Sequence, residues 1–307
     1  MNHHSMQFLD CNDPVVCFNT AAVAVFPVPY EGGVSYGRGT ADAPDAVIQA
    51  SRHLELYDET LKIEPHRMGI FTVAPPDVSA DPALLHNAVY LRTRDLIAAD
   101  KFTVMLGGDH SISYGFVKAL AEKHGRISVV HLDAHSDLRD TYEGSAFSHG
   151  CIMSRIRSLT KDTLQIGIRS MSLEEAEKIA RENLVVCTME EYRSGTFEVD
   201  AALETIPDPV FLTIDVDVFD WSVIRSTGTP EPGGFFWDEA LQLLKRIFER
   251  KEVVGFDVVE LSSDASDRNS PFAVAKLIYR MLGFKLASLV TKECLGWPDK
   301  PSGSIFR

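Results

Sequence analysis

The sequence predicts a three-layer α/β/α protein in which helices cover both faces of a mostly parallel, eight-stranded sheet. Apolar runs rich in Val, Ile, Leu and Phe alternate with amphipathic helical patterns from about residue 20 onward. Several of these runs are continuous, which is typical of strands that are buried on both faces of a sheet. Parallel neighbours need crossover connections, so the alternation of strand and helix favours a parallel sheet.

Eight strands and seven helices are expected along the chain. The strands are predicted at residues 22–28, 68–73, 102–106, 127–132, 163–168, 184–187, 210–216 and 253–259. The helices are predicted at residues 44–56, 81–99, 111–124, 149–158, 173–182, 238–249 and 271–282. Proline suits the first turn of a helix and serine is a common N-cap. Pro44 behind Asp42, and Ser111, are therefore expected to start the first and third helices.

One domain is predicted for residues 1–307, because no linker rich in Pro, Ser or Gly and no internal repeat divides the chain. Within it, residues 1–20 are expected to form an N-terminal extension and residues 295–307 a C-terminal tail. The segments 27–39 and 227–234 are rich in Gly and Pro and follow the first and seventh strands. Open α/β sheets bind ligands at the carboxyl ends of their strands, so these loops are expected to border a binding site.

The composition narrows the range of partners. The chain carries a net charge of −14 and no stripe of Lys and Arg, which argues against nucleic acid and suits a cationic small molecule. The apolar stretch at residues 21–28 is too short to span a membrane, so no membrane partner is expected. Five scattered cysteines without a CxxC motif indicate reduced thiols and a cytoplasmic location.

Three short segments combine acidic and imidazole side chains, and each directly follows a predicted strand. They are GGDHS at 107–111, DAHSD at 133–137 and DVD at 215–217. An unpaired buried charge is costly, so converging aspartates imply cations between them. Taken alone, DAHSD also fits a polar surface turn, and the histidine of GGDHS fits a helix cap. Together the segments predict a two-metal centre at His110, Asp133, His135, Asp137, Asp215 and Asp217.

The ligand types limit the choice of metal. Carboxylate oxygens with two imidazoles suit Mn²⁺, with Fe²⁺, Co²⁺ or Ni²⁺ as possible substitutes. All-oxygen Ca²⁺ and Mg²⁺ sites rarely include histidine, and a structural Zn²⁺ site would favour thiolates. Two metals about 3.5–4 Å apart lower the pKa of a bridging water and present hydroxide as a nucleophile, which predicts a hydrolase.

These three segments, together with TGTPEPGG at 227–234, resemble the metal signatures of the ureohydrolase family, the arginases and agmatinases. The resemblance spans roughly residues 22–290 and implies an arginase-like fold with two Mn²⁺ ions per subunit. It further implies that Asp133 and Asp215 bridge the ions. One ion would be completed by His110 and Asp137, and the other by His135 and Asp217.

Two more positions resemble catalytic residues of that family. His149 in SHG (148–150) is expected to carry a proton to the leaving amine, although a histidine without chemistry at a helix start is the alternative. Glu260, which ends FDVVE (256–260), is expected to bind the guanidinium group, with a solvated strand-end glutamate as the alternative. Asp137 is expected to steady the tetrahedral intermediate. Asp109 and Asp257 are expected to hold the ligands or Glu260 in place.

The loops indicate which guanidino compound is bound. The segment LRDTYEGSAF (138–147) contains no Asn and resembles the corresponding loop of agmatinases, as does the loop at 29–39. Arg139 and Tyr36 are accordingly expected to contact the substrate, and agmatine is the leading candidate. The chain departs from the family pattern at Trp221, Arg225, Ser226 and Ser262-Ser263, which changes the rim of the pocket.

Several alternatives stay open from the sequence. Arg38, Arg139 or Arg225 would suit a substrate that ends in a carboxylate, so guanidinobutyrase and formiminoglutamase are alternatives within the enzyme class. A single-zinc deacetylase on the same fold would lack the second metal site. A catalytically silent, metal-binding regulator is an alternative from another class. The resemblance also implies a homo-oligomer, a trimer or a hexamer.

Overall fold

The computed structural model describes residues 6–9, 17–78 and 81–294. Its strands are β1 (Val23–Val28), β2 (Ile70–Thr72), β3 (Phe102–Gly107), β4 (Ser128–Leu132), β5 (Thr163–Ile168), β6 (Val185–Thr188), β7 (Val210–Asp215) and β8 (Val253–Val259). Its helices are α1 (Ala43–Ser51), α2 (Pro82–Ala98), α3 (Ser113–His124), α4 (Ile152–Ile156), α5 (Leu173–Glu182), α6 (Met189–Ser194), α7 (Val199–Thr205), α8 (Trp237–Arg250) and α9 (Asn269–Cys294).

All eight strands form one parallel sheet in the order β2-β1-β3-β8-β7-β4-β5-β6. This arrangement confirms the predicted fold class. The strands β3, β8, β7 and β4 are adjacent in the sheet, although β3 and β8 are far apart along the chain. Because parallel strands end at the same edge, the segments that follow these four strands meet there.

Helices cover both faces of the sheet. One apolar cluster packs α1, α8 and α9 against the sheet through residues such as Val47, Leu244 and Ile278. The other packs α2, α3 and α4 on the opposite face, with Leu85 and Phe116 among its buried side chains. Burying each such side chain contributes about 1.5–3 kcal/mol, so both layers are held on the sheet mainly by apolar burial. No helix in the described part of the chain is long and apolar enough to cross a membrane.

Each predicted strand lies within two residues of an observed one, whereas the helices differ more. Helices α6 and α7 were not predicted, because one or two turns are too short to show a helical period. The first helix ends at Ser51 rather than at residue 56, and the last runs from Asn269 to Cys294 rather than over 271–282. Pro44 does lie in the first turn of α1, but the side chain of Asp42 makes no capping hydrogen bond.

The predicted N-cap at Ser111 is wrong. The carboxylate of Asp109 accepts hydrogen bonds from the backbone N–H and the hydroxyl of Ser111, at 3.0 and 2.5 Å, so the cap lies two residues earlier. A short 3-10 turn, His110–Ile112, then leads into α3. The predicted C-terminal tail, residues 295–307, and most of the N-terminal extension lie outside the described residues. The single-domain organisation stays a prediction.

Candidate metal centre

The six predicted metal ligands lie at the carboxyl edge of the sheet, where β3, β4 and β7 end. All of them are buried except His135, whose side chain is 25% exposed. The chain after β3 can pass this edge because residue 108 is a glycine. A Cβ there would lie 2.6 Å from the carbonyl oxygens of Val28 and Tyr30. Asp137 has a φ of 52°, a left-handed conformation that is costly for a non-glycine residue and is often found at functional sites.

Three carboxylates face one ring nitrogen of His110. The Nδ1 atom lies 3.2 Å from Asp133 Oδ2, 3.4 Å from Asp215 Oδ2 and 3.5 Å from Asp137 Oδ2. This nitrogen is fully buried and has no hydrogen-bond partner among the described residues. The other ring nitrogen, Nε2, lies 2.8 Å from the hydroxyl of Thr213, which leaves Nδ1 as the free acceptor when Nε2 carries the proton. A buried, unpartnered imidazole nitrogen among carboxylate oxygens fits a metal ligand.

A second group forms around His135. Its Nδ1 atom lies 2.9 Å from Asp217 Oδ2 and 3.5 Å from Asp133 Oδ1. The two oxygens of Asp133 therefore point to different histidines, Oδ2 to His110 and Oδ1 to His135, as a carboxylate that bridges two ions would. Within each group the donor atoms lie within 4.8 Å of one another. One group consists of His110, His131, Asp133 and Asp137. The other consists of Asp133, His135 and Asp217.

The pKa values show how strongly these carboxylates are crowded. Burial and the charge of Asp133 raise the pKa of Asp137 well above its ordinary value, and burial with the charges of Asp217 and Asp133 does the same for Asp215. Burial also raises the pKa of Asp217. Burial opposes ionisation of Asp133 too, but His131, His110 and His135 lower its pKa well below the usual range. The site needs further positive charge before all four carboxylates ionise, which fits two divalent cations.

His131 is a site residue that the sequence prediction missed. Its Nε2 atom lies 2.8 Å from Asp133 Oδ2, and the amide nitrogen of Gln165 lies 2.9 Å from its Nδ1. The same amide nitrogen lies 2.7 Å from the carbonyl oxygen of Ser136, which fixes the amide as the donor. Nε2 of His131 therefore carries the ring proton and donates a hydrogen bond to Asp133 Oδ2. A histidine within the apolar run 127–132 was the available signal.

Glu260 and His149 lie beside the metal centre and contact each other. Glu260 Oε1 accepts a hydrogen bond from the backbone N–H of His110 at 2.7 Å and lies 3.2 Å from His149 Nδ1. Glu260 Oε2 is buried, and within the part of the chain that the structure describes it has no hydrogen-bond partner. His149 Nε2 lies 2.9 Å from the hydroxyl of Ser35, a contact that no sequence motif indicated. Burial lowers the pKa of His149, but the charge of Glu260 and the hydrogen bond to it raise the pKa to about 9.

The two aspartates predicted to act in support make different contacts. Asp109 accepts hydrogen bonds from the backbone N–H of Gly33 at 2.6 Å and from Ser111, so it ties the loop at 29–39 to the start of α3. Asp257 accepts a hydrogen bond from the Ser113 hydroxyl at 2.6 Å. It also contacts Thr213, the partner of His110. Neither aspartate belongs to the two groups of metal-type donors.

A cavity of about 240 Å³ opens onto the metal centre. Its walls include Ser35, His149 and Arg139, together with Tyr142, Met171 and Glu175. The guanidinium of Arg139 stacks 4.8 Å above the Tyr142 ring, and its Nε lies 3.7 Å from Glu175 Oε2. Tyr36, the other predicted substrate contact, is 83% exposed and is not part of these walls. The roles of the site residues stay predictions.

Known proteins resemble the chain over most of its length. The sequence pattern of the arginase family matches residues 21–283. An N(1)-aminopropylagmatine ureohydrolase of Synechocystis is 40% identical over 286 residues, which are 91% of this chain and 93% of that protein. An agmatinase of Pyrococcus horikoshii is 33% identical over 283 residues, 91% and 98% of the two chains. The crystal structure of an agmatine ureohydrolase of Thermoplasma volcanium superposes with a TM-score of 0.84 at 28% identity, covering 94% of this chain and 96% of that one.

Proposed function

The chain belongs to the arginase family, hydrolases that cleave C–N bonds of linear amidines, and on that premise we propose that it is an agmatinase, which hydrolyses agmatine to putrescine and urea. The observation that carries the proposal is the buried, unpartnered oxygen Oε2 of Glu260 beside a cluster of metal-type donors. A buried carboxylate oxygen without a partner is costly, and a guanidinium group supplies N–H donors in a planar fork that matches it.

The donor set fits two Mn²⁺ ions. We propose that one would be held by His110, Asp133, Asp137 and Asp215, and the other by Asp133, His135, Asp215 and Asp217. His110 Nδ1, which is buried and unpartnered, supports the first site, and the two-sided placement of Asp133 supports the bridge. Two such ions lower the pKa of a shared water, so that a nucleophile is available near neutral pH.

Glu260 is proposed to bind and orient the substrate. Its Oε1 atom is held by the backbone N–H of His110, so the carboxylate already has a fixed orientation before the substrate arrives. Its free Oε2 atom would accept N–H groups of the guanidinium and place the reacting carbon at the metal centre. Asp137 lines the cavity and would accept a hydrogen bond from the same group as its carbon becomes tetrahedral.

His149 is proposed to supply the proton to the leaving amine. The charge of Glu260 and the hydrogen bond to it raise the pKa of His149, which favours the protonated ring that a general acid needs. The ring lies between Glu260, which stabilises its positive charge, and the Ser35 hydroxyl, which lines the cavity. An amine leaves readily only when it is protonated. The His149 ring would therefore donate its proton to the nitrogen of the leaving amine as the C–N bond breaks.

The arginines near the site favour a substrate that ends in an amine rather than a carboxylate. Arg139 lies 3.7 Å from Glu175, Arg38 lies 3.4 Å from Glu31, and Arg225 lies 3.9 Å from Asp267. Each of them thus already has an acidic partner with which a substrate carboxylate would compete. Guanidinobutyrate and formiminoglutamate are therefore disfavoured.

A longer substrate is the second candidate. The Synechocystis relative is named for N(1)-aminopropylagmatine. In the cavity, Met171 is 37% exposed and the Arg139 side chain is also 37% exposed, so an aminopropyl extension would have a path to solvent. The test is kcat/KM of the Mn²⁺-loaded protein for agmatine, aminopropylagmatine, arginine and guanidinobutyrate. The proposal expects the two amine-ended substrates to lead. A clear preference for guanidinobutyrate or arginine would contradict it.

We also propose a cytoplasmic homo-oligomer, a trimer or a hexamer, as the family resemblance implies. The net charge of −14 supports a cationic small molecule, and not nucleic acid, as the partner of the site. A regulator without activity is disfavoured, because the chain keeps every residue to which the family resemblance assigns metal binding, proton transfer or guanidinium binding. Sedimentation in solution would test the oligomeric state.

A further inference from the structure

All five N–H groups of Arg169 point to backbone carbonyl oxygens. Nε lies 3.1 Å from Pro232 O, and one terminal nitrogen lies 3.1 Å from Gly167 O and 3.4 Å from Val218 O. The other terminal nitrogen lies 2.5 Å from Asp217 O and 2.9 Å from Glu231 O. A guanidinium has five donors in a rigid planar arrangement, so this set uses every donor that the side chain has.

The local backbone explains how Arg169 reaches this position. The pairing of β5 with β6 shifts register between Ile166 and Ile168, and Gly167 between them has a φ of 101°. Such an irregularity at the end of a strand redirects the following side chain. After it, the backbone N–H groups of Arg169 and Ser170 both donate to the carbonyl oxygen of Ala134, at 2.8 and 3.0 Å. Arg169 is thereby fixed next to the segment that carries Asp133 and His135.

Apart from Gly167 in β5, the carbonyl partners of the Arg169 guanidinium lie in two segments beside one half of the metal centre. These segments are the turn that carries Asp217 and the loop that carries Thr229 and Glu231. The same segments also touch each other. Asp217 Oδ1 accepts the backbone N–H of Ala134 at 3.0 Å, and the Thr229 hydroxyl lies 3.4 Å from Asp217 Oδ2. Within the described residues, no hydrogen bond of the Arg169 side chain involves His110 or Asp137.

Arg169 also brings a permanent positive charge to this half of the site. No carboxylate oxygen accepts one of the hydrogen bonds that it makes within the described ranges. Burial lowers its pKa, while Asp217, Asp133, Glu231 and Asp215 oppose that shift through their charges. A guanidinium stays charged in such surroundings. The cation therefore lies close to the carboxylates and offsets part of their mutual repulsion.

We propose that Arg169 is the positioning residue of the half of the metal centre formed by His135 and Asp217. Its guanidinium holds the backbone at residues 167, 217–218 and 231–232 in the arrangement that binds the second ion. The inference rests on the two-metal centre proposed above. Residues that orient metal ligands change metal affinity by about 10- to 100-fold when they are replaced. Arg169→Lys keeps the charge but cannot reach five carbonyls, and Arg169→Gln loses the charge as well. The affinity for Mn²⁺ should therefore fall in Arg169→Lys and fall further in Arg169→Gln.

The experiment measures Mn²⁺ affinity and stoichiometry by calorimetric titration of the full chain. Arg157→Lys is the matched control, because Arg157 is also buried and contacts the opposite end of β5 through Thr163. Two backgrounds separate the half-sites. His110→Ala leaves the half-site that contains His135, and His135→Ala leaves the half-site that contains His110. Arg169→Lys should weaken Mn²⁺ binding by about 10- to 100-fold in the first background and leave binding in the second background unchanged.

The outcomes distinguish positioning from general stabilisation. A lower melting temperature with equal loss of affinity in both backgrounds would contradict the proposal, since a merely structural arginine would affect both half-sites. Two ions bound by Arg169→Gln with the affinities of the unmodified chain would also overturn it. An unmodified chain that binds no Mn²⁺ would overturn the two-metal centre itself, and this inference with it. Electron paramagnetic resonance provides a second readout, because a lone Mn²⁺ and a coupled pair give different spectra.

Discussion

Replacing Glu260 by Gln tests the proposed role of this residue in guanidinium binding without changing its size. The glutamine side chain would still offer an oxygen to the backbone N–H of His110, which lies 2.7 Å from Glu260 Oε1, so the ligand His110 should stay in place. The amide would, however, present a neutral group where the buried Oε2 now has no partner. The substitution therefore removes one member of the charge pair proposed with the substrate, and also the negative charge that lies 3.2 Å from His149 Nδ1.

The size of the effect follows from the burial of this pair. Removing one partner of a buried ion pair costs about 3–5 kcal/mol. At about 1.36 kcal/mol for each factor of ten, that predicts a loss of about 10²- to 10⁴-fold in kcat/KM for agmatine. Bound Mn²⁺ should stay at the level of the unmodified chain, because Glu260 is not one of the six proposed ligands and Gln would still accept the backbone N–H of His110.

The assay is urea release, with metal content measured on the same samples. Glu177→Gln is the matched control, because it removes an equal charge from an exposed position on α5 and should leave kcat/KM unchanged. A Glu260→Gln variant that keeps the kcat/KM of the unmodified chain would refute the assignment. A variant that loses its metal together with its activity would show that Glu260 acts on the metal centre instead.

The same contacts lead to three further predictions. Replacing His149 by Asn should lower kcat by about 10²- to 10⁴-fold with metal content unchanged, as is usual for loss of a general acid. Loss of metal would instead assign the residue a structural role. Ser35→Ala should have a smaller effect on kcat in the same direction, because it removes only the partner at 2.9 Å, and an unchanged kcat would exclude Ser35 from proton transfer. Chelating the metals should lower the melting temperature, since Mn²⁺ at about a hundred times its Kd contributes about 2.7 kcal/mol per site to the free energy of unfolding. Equal melting temperatures with and without Mn²⁺ would contradict this.

The fold was largely predictable because its signal is local. Continuous apolar runs located all eight strands, and the carboxyl-edge rule was enough to place the three metal segments together. The order of the strands was not predictable from local patterns. It is this order that puts β8 between β3 and β7, and so brings Glu260 next to His110. Contacts between residues 150 positions apart leave no trace in either segment alone.

The residues that support the site were the harder part. Thr213 and Gln165 lie within buried strands, where a single polar residue is a weak signal, and their partners belong to neighbouring strands. Arg169 follows a strand that looks regular in sequence, and Gly167, at the register shift, lies against the side chain of Val218, which is distant in the sequence. A Cβ at residue 167 would lie only 2.7 Å from that side chain. Sequence patterns identify groups that do chemistry more readily than groups that hold them in place.

The central claim is that hydrolysis depends on two ions bridged by Asp133. The most direct test measures urea released from agmatine as Mn²⁺ is added to the metal-free chain, for the unmodified protein and for Asp133→Asn. The unmodified chain should become fully active only as the second ion binds, whereas Asp133→Asn should bind less metal and release no urea. Full metal binding by Asp133→Asn, or no urea from any guanidino compound with two ions bound to the unmodified chain, would contradict the claim.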